Sequence, residues 1–298
     1  MSEREKRIAV PGGHLAVVDH GGDGHDVLLV HSVCHSSAVW EPVAQVLATD
    51  AHVVALDMRG HGQSTAETTE IAQIPADIAH VIETLGLDRP VLVGHDVAGG
   101  FVTAVAAARP DLVGGVVVID SPVVEPQEAV REMVRTVGAE TIVAMLTERF
   151  ELGATGPDQA SAQAFIDRHA SANIDDWLSP SRDAAAGRKF LERALLFSED
   201  GSWVYRPTPQ AVRALTADPD ESTFQPGLEL LAQVDAPVTV VTVARGRNGS
   251  GGEALEAVAA TKPNMRITWI DTDSYVLDAE PQAVARDIRE TITAIEQA

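Results

Sequence analysis

The stretch Val91-Leu92-Val93-Gly94-His95-Asp96-Val97-Ala98-Gly99-Gly100 sets one acidic residue among small and apolar neighbours. It reads as a buried strand, a sharp turn and the start of a helix. Gly94, Ala98 and Gly99 let strand and helix pack closely around the residue at the apex. In a G-x-S-x-G elbow that residue is a strained serine, held above the sheet as a nucleophile. Here it is Asp96, and a carboxylate in that place attacks an sp3 carbon to form an alkyl ester rather than an ester or amide carbonyl. The chemistry indicated is opening of an epoxide or a carbon–halogen bond. Asp also tolerates a left-handed apex better than most residues, so a purely conformational role is the competing reading.

Elements that would position Asp96 follow from the hydrophobic pattern. Residues 7–20 read as a hairpin around Pro11-Gly12-Gly13. The runs Val27–Val30, Val53–Leu56, Val91–Val93, Val116–Ile119, Val238–Val241 and Ile267–Ile270 suit buried parallel strands. Helical spacing marks 40–47, 71–86, 98–109, 252–261 and the stretch from Pro281. Between residue 123 and about residue 225 the alternation pauses, and the segment reads as helical without clear strands. The fold class is therefore α/β, a doubly wound, mostly parallel, eight-stranded sheet. The core comprises residues 1–122 and 226–298, with residues 123–225 as an inserted helical cap. In such sheets sites lie at the carboxyl ends of the strands, where Asp96, Asp120, His31 and the Gly-rich loop 244–252 all fall.

Composition narrows the function classes. The formal charge of −22 over 298 residues disfavours nucleic acid and anionic membrane. It says little about the small-molecule substrate that the apex carboxylate implies, because the local field of a cleft need not follow the total. The single cysteine, Cys34, allows no internal disulfide. No metal-type Cys/His spacing and no dinucleotide fingerprint in context is present, so no cofactor is expected. The charged start Met1–Arg7 lacks an apolar signal region, and no apolar run spans a bilayer, so a cytoplasmic protein is expected. A homodimer is left open.

Three motifs together resemble the α/β-hydrolase superfamily: His31-Ser32-Val33-Cys34, Asp57-Met58-Arg59-Gly60-His61-Gly62-Gln63-Ser64, and Gly94-His95-Asp96-Val97-Ala98-Gly99-Gly100. The resemblance covers residues 26–122 strongly and 226–298 more weakly. The Gly-His-Asp elbow is similar to that of epoxide hydrolases and related dehalogenases. In that branch Asp attacks carbon, a His activates the water that cleaves the ester, and a second acid orients the His. Asp120 sits where some members place that acid. The backbone N–H groups of Val33 and Val97 would form the oxyanion site. Tyr205, with Tyr275 the only other tyrosine, would either protonate the opening oxygen, as cap tyrosines of epoxide hydrolases do, or simply pack the cap. Trp177 and Trp203 would wall an apolar pocket or hold the cap on the sheet. Val97 lacks the indole N–H that many haloalkane dehalogenases place beside the nucleophile. Phe101 and Val102 occupy the region where fluoroacetate dehalogenases carry arginines. Both points disfavour dehalogenation.

The chain departs from that pattern in two places. In Asp273-Ser274-Tyr275-Val276-Leu277-Asp278-Ala279-Glu280-Pro281, Ser274 stands at the family's histidine position, and all ten histidines lie at or before His169. Gly246 falls where many members place their acid. General-base help is worth about 10²–10⁴-fold, so ester hydrolysis needs a substitute base, Asp120 or His35. Ser32 replaces the usual glycine and is similar to the hydroxyl residue that contacts substrate oxygen in plant hydroxynitrile lyases. Three readings follow. One is an atypical epoxide-hydrolase-like enzyme. Another is a lyase, cyclase or isomerase, as in natural-product assembly, with Asp96 as general acid or base. The third is a catalytically silent ligand-binding homologue.

Overall fold

A computed structural model of the chain describes residues 4–170, 184–216, 224–246 and 252–297. The hairpin forms from β1 (Glu5–Val10) and β2 (Gly13–Gly21). β3 (His25–Val30) follows, then a 3₁₀ turn Ser37–Trp40, α1 (Glu41–Leu47) and β4 (Ala51–Leu56). Next come α2 (Gln73–Leu85), β5 (Val91–His95), α3 (Ala98–Ala108) and β6 (Gly115–Ile119). Residues 27–30, 53–56, 91–93 and 116–119 of β3 to β6 are continuously apolar and buried because helices cover both faces of a parallel sheet. Beneath one face lies a core containing Ile78, Leu92, Phe101 and Val118; beneath the other lies one containing Trp40, Leu47, Val93 and Ile288.

An inserted segment then intervenes. Its helices are α4 (Gln127–Val137), α5 (Ala139–Phe150), α6 (Gln159–Ala170), α7 (Ala184–Ala194) and α8 (Pro209–Leu215). It also carries β7 (Thr155–Gly156), β8 (Leu195–Phe197) and β9 (Trp203–Tyr205), which form a separate antiparallel sheet in the order β7-β9-β8. These strands correct the expectation of an all-helical insertion. At two or three residues each they are too short to show a period of two.

The core resumes with α9 (Leu228–Leu231), β10 (Val238–Arg245), α10 (Gly252–Thr261), β11 (Met265–Asp273), α11 (Val276–Ala279) and α12 (Pro281–Glu296). Among the described residues the main sheet has eight strands in the order β1-β2-β4-β3-β5-β6-β10-β11. β1–β2 and β2–β4 pair antiparallel, and every other neighbouring pair is parallel. No helix among the described residues is long and apolar enough to cross a membrane.

Register brings the functional loops to one edge. Val30 pairs with both Leu56 and Gly94, and His95 pairs with Ile119, so β3, β4, β5 and β6 end side by side. The ladder continues one residue beyond β5 and β6: Asp96 N–H donates to Ile119 C=O at 2.9 Å, and Asp120 N–H to Val241 C=O at 3.0 Å. Both acids then leave the sheet with left-handed backbones, φ 53° at Asp96 and 43° at Asp120.

The tight elbow depends on missing side chains. A Cβ at Gly94 would lie 2.5 Å from Ala98 O, and one at Gly99 would lie 2.2 Å from Ser121 Oγ. The first clash is with backbone, so β5 and α3 would have to separate. Gly94→Ala should lower the unfolding free energy by about 2 kcal/mol, the usual scale of overpacking, in a urea titration. Unchanged stability would contradict this packing.

Candidate active site

The loop after β3 turns back on itself. His35 N–H donates to Ser32 C=O at 3.1 Å, and Cys34 takes φ 64°. This turn carries Ser32 over the apex, where its hydroxyl donates to Asp96 Oδ2 at 2.5 Å. Charge-assisted O–H···O⁻ bonds fall in this short range. Ser32 is 1% exposed, whereas Asp96 is half-buried and faces a cavity of about 260 Å³.

That cavity brings together Ser32, Val33, Cys34, His35, Asp96 and Val97 from the core loops. Its roof comes from the inserted segment, with Val130 and Val134 of α4 and Ile142, Leu146 and Phe150 of α5. Phe101, Val123 and Phe224 complete an apolar wall. Arg131 is the one cationic side chain among the described lining residues. Its Nε donates to Gln225 Oε1 at 2.6 Å, and its guanidinium stands 3.7 Å from Glu128. The sequence reading missed these α4 and α5 residues. Their signal was the spacing of Val130, Met133, Val134 and Val137, which stripes one side of α4.

Other candidates lie elsewhere. Asp120 is 3% exposed and does not line the cavity. Its carboxyl group fills the space a side chain at position 246 would need, since a Cβ there would fall 2.3 Å from Oδ1. Gly246 and Asp120 are thus spatially complementary: the carboxyl group arrives from the end of β6 while position 246 stays empty. Trp203 and Tyr205 pack inside the inserted segment against Phe165, at ring separations of 5.2 and 5.1 Å. Trp203 Nε1 donates to Ser161 Oγ at 3.0 Å, and burial pushes the Tyr205 hydroxyl pKa up. Neither lines the cavity. Both are short-strand residues whose rings build the core of the insertion. Ser274 is half-buried in the turn before α11, and Tyr275 is buried beside it; both lie outside the cavity wall. Trp177 lies outside the described residues.

Beneath the site, a polar network ties the loops together. The fully buried Asp57 carboxylate accepts from Ser37 N at 2.7 Å and Gln63 N at 2.9 Å and pairs with Arg193 of α7 at 2.8 Å. Burial alone would raise its pKa, but Arg193, His31 and the two backbone donors hold it below the ordinary carboxylate value. His31 Nε2 accepts from Met58 N–H at 3.0 Å, so Nδ1 carries the proton donated to Ser32 C=O at 2.7 Å. That imidazole braces the loop. The buried pair Arg59–Asp77, bidentate at 2.6 and 2.7 Å, fixes the neighbouring loop against α2.

Comparison with known proteins agrees with this architecture. Residues 27–139 match the model for the alpha/beta hydrolase fold. Over 242 residues the chain is 29% identical to (E)-2-((N-methylformamido)methylene)succinate hydrolase of Acinetobacter baylyi, covering 79% of this chain and 88% of that protein. Over 100 residues it is 31% identical to epoxide hydrolase 4 of Mus musculus, covering 32% and 28% of the two chains. The crystal structure of E-2-(acetamidomethylene)succinate hydrolase superposes with a TM-score of 0.71 at 23% identity, covering 97% of this chain and 98% of the other. The chain has the α/β-hydrolase fold, and its sequence relatives include hydrolases.

The buried histidines make stability sensitive to acid. Burial, outweighing Asp57, pushes the His31 pKa down to about 4. Burial and the neighbouring His31 push His61 down to about 3. Unfolding returns both rings to the ordinary value of 6.5. As pH falls through the window from about 6.5 towards 4, the unfolded chain binds protons that the folded one excludes, and stability drops. The slope should approach about 1.4 kcal/mol per pH unit for each ring. Urea titrations at about pH 7, 6 and 5 read it, with a shallower dependence in His61→Gln. Equal stability across that range would refute the neutral buried state.

Proposed function

We propose that this chain is an α/β-hydrolase-fold enzyme in which Asp96 opens an epoxide, or a comparable electrophilic carbon, of an apolar small molecule, with residues 123–225 as the cap. The observation that carries the reading is the Asp96 carboxylate itself. It sits on a left-handed apex, takes a hydrogen bond from Ser32 at 2.5 Å and faces an apolar cavity. The Ser32 hydroxyl orients the carboxylate through Oδ2, and a carboxylate oxygen attacks the carbon. In the resulting ester the Ser32 hydroxyl would bond the carbonyl oxygen, with the N–H groups of Val33 and Val97 as further donors. The local likeness to epoxide hydrolase 4 supports the same chemistry. Similarity to a hydrolase of an amide-bearing succinate supports hydrolysis more broadly.

The Ser32–Asp96 bond also favours a second reading. A hydroxyl and a carboxylate sharing a proton can hold a substrate oxygen and move its proton without any covalent intermediate, as a lyase, cyclase or isomerase requires.

Isotope labelling separates the two. During turnover of an apolar epoxide such as styrene oxide in ¹⁸O water, the nucleophilic route places label in the Asp96 carboxyl group, found by peptide mass. Asp96→Asn should abolish turnover and labelling. Epoxide opening with no label at Asp96 would refute the ester route and favour acid–base chemistry.

A further inference from the structure

Ester chemistry at Asp96 needs a base for its second half, and the cavity wall offers few groups. Its described titratable residues are Asp96, Cys34, His35 and Arg131. An arginine is always protonated and a thiol is a poor proton acceptor, whereas an imidazole is suited to the task near neutrality. Asp120, the other substitute suggested by sequence, lies against Gly246 and outside the wall. His31 has both ring nitrogens committed to backbone, and His61 is buried with Nδ1 on Arg59 C=O.

His35 is oriented by its neighbours. Its ring stacks on that of His95, 6.0 Å between centroids and 6° between planes. The edge of Phe190 from α7 meets it at 5.9 Å and 87°. His95 is the residue immediately before Asp96, and the Ser32–His35 turn fixes the ring's backbone to the residue that hydrogen-bonds Asp96. The nucleophile's own strand and the cap thus hold one imidazole in the wall that Asp96 faces.

We infer that His35 is the catalytic base that activates water for cleavage of the Asp96 ester, a role that rests on Asp96 being the nucleophile. In the first half, an Asp96 carboxylate oxygen bonds the epoxide carbon, the carbon–oxygen bond breaks, and the alkoxide takes a proton from solvent. In the second, a His35 nitrogen accepts a proton from water while the water oxygen bonds Asp96 Cγ. The Cγ–O(alkyl) bond breaks, the departing alkoxide takes the proton from His35, and the Asp96 carboxylic acid releases its proton to solvent. Epoxide and water give a diol, and the enzyme is restored.

The test compares wild type with His35→Gln and His35→Asn on styrene oxide, following diol release and intact protein mass. Both variants should release diol at least about 100-fold more slowly and accumulate a stable adduct of one alkyl group mapped to Asp96. In His35→Ala, added imidazole should restore turnover and discharge the adduct, which a merely structural role would not explain. Variants that turn over at the wild-type rate, or accumulate no more adduct than wild type, would overturn the role of His35 while leaving Asp96 as nucleophile. Absence of adduct in the variants together with unlabelled Asp96 in wild type would overturn both.

Discussion

The close approach of β5 to α3 is the constraint on which the site depends. Gly94 leaves no room for a side chain between the two elements, and Gly99 leaves none between α3 and Ser121 beyond β6, so the chain must reverse within the residues that separate β5 and α3. The reversal forces position 96 into left-handed backbone, at a cost of roughly 1–2 kcal/mol for a residue with a Cβ. Asp is among the residues best able to bear that cost. The same geometry lifts its carboxyl group off the sheet and towards the Ser32 hydroxyl. Strain, exposure and partner are one arrangement.

The inserted segment is joined to this arrangement through charge as well as apolar packing. Arg193 leaves α7 to meet Asp57, and Asp57 also holds the backbone of Ser37 and Gln63. Gln63 in turn donates to the carbonyls of Arg193 and Leu195. The segment that roofs the cavity and the loop that carries Ser32 and His35 therefore share one buried carboxylate. Losing either partner of a buried ion pair leaves an uncompensated charge, at about 3–5 kcal/mol, so the two parts are expected to stay in register. Phe190, three residues before Arg193, reaches the His35 ring from the same helix.

Much of this is legible in the amino-acid sequence. The central parallel strands β3 to β6 carry continuous apolar runs and the elbow is a strand, turn and helix, both local patterns. The run 267–270, expected to be buried, instead lies on the edge strand β11 with Trp269 exposed. The insertion was legible as an interruption but not in its detail. Leu195–Phe197 and Trp203–Tyr205 are too short for alternation to distinguish strand from helix. Aromatic side chains such as Tyr205 and Trp203 can serve either a core or a pocket, and only packing decides; here they meet Phe165. His35 gave the opposite difficulty. Its sequence context marks a loop histidine, and its stack on His95 is a tertiary contact across 60 residues that no local pattern encodes. The complementarity of Asp120 and Gly246 is likewise a long-range relation, visible in sequence only as two separate departures.

The central claim is that the Asp96 carboxylate confronts the reacting carbon inside the apolar cavity. A crystal structure of the Asp96→Asn variant soaked with styrene oxide tests it most directly, because the intact epoxide should persist there. The account predicts an epoxide carbon within about 3.5 Å of the side chain at position 96, a near-attack separation, with the ring seated under α4 and α5. An epoxide bound elsewhere, or a side chain at position 96 turned away from the cavity, would contradict it.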